Sequence, residues 1–155
     1  MNYRSYEKYK DSGVDWVGRI PENWNLMRLN ESVKIKTSNV DKKTKAGEEA
    51  VRLCNYVDVY LNEKITSAIS FMNASATSVE IEKFKLNKGN VVLTKDSESP
   101  SDIGVPTLID ENIDDLVCGY HLAVLKSIPD KTYGSYIYYA IKSHSSAAQF
   151  EVLAN

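Results

Sequence analysis

The chain is poor in the residues and runs that mark several functional classes. It has no apolar run near the roughly 20 residues needed to span a bilayer, and Met1 to Lys8 lacks a hydrophobic signal-peptide core. A cytoplasmic protein without a membrane span is therefore expected. It has only two cysteines, Cys54 and Cys118, and two histidines, His121 and His144. Neither cysteine belongs to a C-x-x-C pair, and a zinc site would need all four of these residues to meet, so no zinc site is expected. Each cysteine sits in an apolar, strand-like run, where a free thiol behaves as a small buried hydrophobe. A glycine-rich cofactor loop and an Asn-Pro-Pro-aromatic motif are both absent, which argues against a methyltransferase. Asn55-Tyr56-Val57-Asp58 has the asparagine but no prolines. No glycine-flanked elbow surrounds Ser97, which weakens a hydrolase built on Ser97 and His121. No catalytic residue is assigned.

Positive charge is also in deficit. The net charge is −2, which argues against a generally basic nucleic-acid coat. Its distribution is uneven, however: Lys34, Lys36, Lys42, Lys43 and Lys45 face Asp41 alone within residues 34–45, so this segment carries +4 and the remainder −6. That segment reads either as a local basic patch or as a solvated loop.

At 155 residues and 43% hydrophobic, the chain can bury about two thirds of its unfolded surface, enough for one domain. Leu26, Leu29 and Val33 predict a short helix over residues 25–35, followed by loop to residue 50. From Val51 to Leu61 the period is two: Val51, Leu53, Val57, Val59 and Leu61 share one face, and Arg52, Cys54, Tyr56, Asp58 and Tyr60 the other, predicting a strand. Ile65, Ile69 and Phe71 allow a weak edge strand. The turn Lys88-Gly89-Asn90 introduces a buried strand, Val91 to Thr94. Strands are expected over Val105–Ile109 and Leu116–Leu125, with Gly119 marking a bulge or a close approach. An amphipathic helix follows from Thr132 or Ser135, carrying Ile137, Ala140, Ile141, His144 and Ala148. These elements give an α+β (mixed α/β) single domain, with a twisted, partly antiparallel sheet, flanking helices and long polar loops. His121 and His144 both read as structural residues.

Lys95-Asp96-Ser97-Glu98-Ser99-Pro100-Ser101-Asp102 leaves the end of a buried strand, where a rigid scaffold presents many donors and acceptors. Three readings stay open. The segment is a capped polar turn, or a metal-dependent nuclease site with Asp96 and Asp102 as ligands and Lys95 as charge stabiliser, or a recognition loop. A protein-interaction module is a further alternative, with Tyr56 and Tyr60 meeting a partner.

The most specific signal is Ser12-Gly13-Val14-Asp15-Trp16-Val17-Gly18-Arg19-Ile20-Pro21-Glu22-Asn23-Trp24. Pro21 fixes its own φ and holds Ile20 extended, and Trp16 and Trp24 are expected to pin this arm by burying their rings. The pattern closely resembles the N-terminal arm of the DNA specificity subunits of type I restriction-modification systems. Val51 to Tyr60, Lys88 to Glu98, Asp102 to Pro106 and Leu116 to Leu125 are similar to one subgroup of those subunits, so the likeness runs over essentially the whole chain.

The resemblance implies a noncatalytic target recognition domain, residues 1–155, with residues 1–24 as an anchored arm. The family's spacer helix and second recognition domain lie outside this sequence, which leaves open a fragment, a half-subunit or pairing of two halves. Such a domain reads one half of a bipartite target in double-stranded DNA. Methylating subunits supply S-adenosylmethionine chemistry, and a restriction motor subunit supplies ATP-dependent cleavage. S-adenosylmethionine, ATP and magnesium are thus expected on partners, with no cofactor in this chain. In this frame Lys34, Lys36, Lys42, Lys43 and Lys45 are assigned to phosphates. Thr37, Ser38, Asn39, Lys95, Ser97 and Ser99 are assigned to base edges.

Overall fold

A computed structural model describes residues 6–154. Among these residues, five helices and ten strands in three sheets form an α+β fold. The chain opens with a hairpin of β1 (Tyr9–Asp11) and β2 (Arg19–Pro21) that pair only with each other. After α1 (Leu29–Ser32) come β3 (Val33–Thr37), β4 (Glu49–Cys54), α2 (Tyr56–Leu61), β5 (Lys64–Ile65), β6 (Met72–Ala76), α3 (Ser78–Phe84) and β7 (Val91–Thr94). A single 3-10 turn, Pro100–Asp102, precedes β8 (Pro106–Ile109), β9 (Leu116–Cys118), β10 (Leu122–Ser127), α4 (Gly134–Lys142) and α5 (His144–Ala154).

The five-stranded sheet has the order β3-β10-β7-β8-β5, and the three-stranded sheet β6-β4-β9. The β4–β9 and β5–β8 pairs are parallel and the other ladders antiparallel, in line with the partly antiparallel expectation. One core, including Val51, Leu53, Phe84, Val92, Leu116, Leu122 and Val124, lies between the two sheets. The other face of the larger sheet places Val91, Leu93, Leu108 and Leu125 against Ile137, Tyr138 and Ile141 of α4. Alternation along β7 and β10 thus feeds two cores, which explains why both strands are apolar on both faces.

Several elements depart from the sequence reading. The helix expected over residues 25–35 contracts to one turn because Val33 to Thr37 pairs residue for residue with β10; pairing against a buried strand outweighs weak helical spacing. The strand expected through Leu61 stops at Cys54. The Asn55 side chain accepts from the Val57 and Asp58 N–H groups, and Asp58 returns a bond from the Asn55 N–H, starting α2. This reciprocal cap overrides the alternation, leaving Val57 and Leu61 exposed. The weak edge strand resolves into β5 and β6, with Ile65 and Phe71 buried.

Helix α3 was not anticipated, although Thr77-Ser78-Val79-Glu80 spells its capping box. Leu116 to Leu125 breaks at Gly119 into strands of different sheets. The C-terminal helix also divides, because Ser143 is extended at the end of α4 and its hydroxyl donates to the Ala140 carbonyl. His144 lies on the exposed side of α5 rather than against the core.

Trp16 and Trp24 remain 53% and 41% exposed. The arm folds back on itself through Ser12 N–H to the Gly18 carbonyl, with left-handed Gly13 and Gly18 at the turn. Its strands therefore stand outside both cores, and Trp24 packs edge-to-face with Tyr6, 5.6 Å between ring centres. No helix among the described residues is long and apolar enough to cross a membrane.

Candidate nucleic-acid interface

The ladders bring several loops to one edge. β4 and β9 run parallel and end together at Cys54 and Cys118, while β3 and β7 flank β10 so that Thr37 and Thr94 lie beside its first residues. Segments 38–48, 55–60, 95–105 and 119–121 consequently open on this edge. Gly119 makes the approach tight: its N–H donates to the Cys54 carbonyl at 2.8 Å, and a Cβ there would lie 2.8 Å from that oxygen. Only glycine fits without movement, so the expected close approach is present. Tyr120 and His121 are thereby carried beside Asn55, Tyr56 and Lys42, around a shallow depression.

Segment 38–48 is tied down from below. Buried Ser38 donates its hydroxyl to the Cys118 carbonyl and accepts the Val40 N–H at 3.2 Å. Assigned to base readout from sequence, this side chain is instead consumed by the scaffold, because a hydroxyl under the loop must satisfy its own hydrogen bonds. The Asn39 amide donates to Glu80 at 2.9 Å. Lys45 pairs with Asp41 at 3.2 Å and lies 3.9 Å from Glu48. The Lys43 N–H, and then Lys45, hold the Asp41 carboxyl below its ordinary range. Lys45 is therefore neutralised locally. Lys42 instead places its ammonium over the Tyr120 ring, 5.9 Å from the centre, and exposed Lys43 forms no ion pair among the described residues.

Segment 95–105 is latched to the strand it leaves. The Thr94 hydroxyl donates to the Asp102 carbonyl and accepts from the Val105 N–H, while the Gly104 N–H donates to the Thr94 carbonyl. The Lys95 N–H donates to the His121 carbonyl at 3.0 Å. Above that bond, the Lys95 ammonium pairs with Asp96, and His121 Nδ1 lies 3.4 Å from the same carboxylate oxygen. Lys95 holds the Asp96 carboxyl below its ordinary range, opposed by partial burial and reinforced by His121. The His121 ring centre is 3.7 Å from that of Tyr120.

Alongside, Tyr56 and Tyr60 stack 5.6 Å apart, and the Tyr60 hydroxyl donates to Asp102 at 3.2 Å. That bond raises the Tyr60 pKa above its ordinary value. Ser97 accepts the Ser99 N–H, and the Ser99 and Ser101 hydroxyls lie 2.8 Å apart.

The structure thus assembles Lys42, Tyr120, His121, Asp96 and Lys95 into one ridge, flanked by Tyr56, Tyr60 and Ser99. Thr37 is exposed at the end of β3. Lys34 and Lys36 lie farther along β3, with Lys34 opposite Lys126. Tyr120, His121 and Asp96 were not assigned to an interface from sequence. His121 read as core because its neighbours are apolar, yet its side chain is 38% exposed. The available signal was Gly119, which interrupts an otherwise continuous strand. Among the described residues, no group of three or more His, Cys, Asp or Glu is placed to hold a metal ion. No protein-family model matches this chain, and no curated protein matches it significantly.

Proposed function

We propose that this chain is a noncatalytic, sequence-specific DNA-binding domain that reads one half of a bipartite target for partner methylating and restriction subunits of a type I system. The observation that carries the reading is the ridge from Lys42 through Tyr120, His121 and Asp96 to Lys95, which lines up cationic, aromatic and acceptor groups on one edge of the sheets. Lys42 and Lys43 supply phosphate attraction on a chain that is acidic as a whole. The side chains of segment 95–105 supply base-edge contacts, held by the Thr94 latch. The likeness of the arm and later motifs to type I specificity subunits supports the same reading. The exposed Trp16 and Trp24 of the arm, with Leu26 and Met27 just after it, favour contact with a partner subunit.

On this reading the chain carries no cofactor, and S-adenosylmethionine, ATP and magnesium act on partner subunits. The metal-dependent nuclease alternative has weaker support, since Asp96 is held by Lys95 and His121 while Asp102 is held by Tyr60.

Grafting residues 1–155 in place of the first recognition domain of an active type I specificity subunit tests the proposal. Methyladenine is then mapped across plasmid DNA by direct sequencing. A new first half-site with an unchanged second one is expected. Retention of the old first half-site, or no methylation despite verified assembly, would overturn the reading.

A further inference from the structure

We propose that Asp96 is a base-reading residue whose carboxylate accepts a hydrogen bond from the exocyclic amino group of a cytosine in the major groove. This rests on the DNA-binding reading above and names a ligand group within it. A carboxylate is an unexpected member of a DNA-facing ridge, because it repels the phosphate backbone. Asp96 nevertheless stands between two cationic-capable side chains and keeps half of its side-chain surface exposed.

Both recorded contacts, from Lys95 Nζ and His121 Nδ1, fall on Oδ2, so Oδ1 has no hydrogen-bond partner among the described residues. Lys95 keeps the group ionised and offsets its charge, leaving an acceptor without a bare negative field. Donors on a base edge suit such a group: in the major groove cytosine presents its N4 amino group, and Asp or Glu is the side chain that accepts from it.

The position is also fixed in advance. Asp96 is two residues beyond buried Thr94, and the adjacent backbone is joined to β10 through the Lys95 N–H and the His121 carbonyl. The imidazole that meets the carboxylate is itself seated against Tyr120. A reading group held by a strand end and a packed ring loses little freedom on binding. Asp102 differs in its partners: the Tyr60 and Ser101 hydroxyls both donate to its Oδ1, and no cationic side chain pairs with it among the described residues to offset its charge.

The test compares the complete 155-residue chain with Asp96→Asn and Asp96→Glu, each selecting from a duplex library with a random core, by sequencing the bound fraction. Thermal melts verify that each variant folds. The expected result is a wild-type motif with one C·G pair whose preference falls about ten-fold or more in Asp96→Asn and keeps the same base in Asp96→Glu. Other positions and the salt dependence stay unchanged in both variants. A wild-type motif reproduced by Asp96→Asn, with affinity raised on all sequences, would overturn the proposal and mark Asp96 as an electrostatic brake. No selected motif for the wild type would instead overturn the DNA reading on which it rests.

Discussion

The Ser38 hydroxyl has two backbone partners under the lysine-bearing loop and no access to solvent beyond 5%. Replacing it by alanine strands the Cys118 carbonyl and the Val40 N–H, and an unsatisfied buried group costs about 1–3 kcal/mol. Ser38→Ala should lower stability by that amount in denaturant titration, whereas Ser97→Ala, at a partly exposed turn, should change it by less than about 0.5 kcal/mol. Equal effects would refute the distinction between scaffold and loop hydroxyls.

The two thiols make a separate prediction. Burial pushes the Cys118 thiol up to about 12 and the Cys54 thiol well above its ordinary value. The native state then keeps protons that the unfolded chain loses from about pH 9. Stability from these thiols is fully present below that pH and declines as pH rises toward 12. The unfolding midpoint should fall less steeply between pH 8 and 10.5 in Cys118→Ala than in wild type. Parallel slopes would count against the coupling.

Local signals competed at the level of elements, and the outcome depended on which one gained tertiary partners. Residues 51–61 alternate as a strand throughout, but Asn55 and Asp58 satisfy each other's backbone donors and turn the second half into α2. Asn55→Ala should cost about 1 kcal/mol, the ordinary value of a lost N-cap. It should also loosen the Tyr56–Tyr60 stack, detected as altered chemical shifts of those rings. Unchanged stability would show that packing of Val59, rather than the cap, holds the helix. The capping box at Thr77 was equally legible, but the sequence reading assigned no element to residues 78–87, where α3 forms. Val33 to Thr37 illustrates the opposite limit, since the order of its neighbours in the sheet is invisible in a linear spacing.

For the whole molecule, function on the proposed reading depends on charge position rather than charge total. An acidic chain with Lys42 and Lys43 on one edge should bind DNA with strong salt dependence. The double variant Lys42→Ala, Lys43→Ala should reduce the slope of log K against log salt by about two, at about 0.9 per phosphate contact. The loss should be similar on all sequences. An unchanged slope would remove segment 38–48 from the interface. Lys45 should contribute less, because Asp41 already neutralises it.

Composition and local pattern alone determined the α+β class, the buried character of β7 and both cysteines, and the close approach at Gly119. Each follows from short-range chemistry: β-branched runs seek burial, thiols avoid water, and a glycine inside an apolar run marks a place where a side chain would collide. Tertiary structure decided the rest. Pairing of β4 with β9 and of β10 with β3 and β7 placed residues distant in sequence on one edge, buried Ser38, and exposed His121 beside Asp96. The arm's tryptophans stayed exposed because its strands paired with each other. Those outcomes follow from which backbone hydrogen bonds close between remote segments, and a linear spacing does not encode that choice.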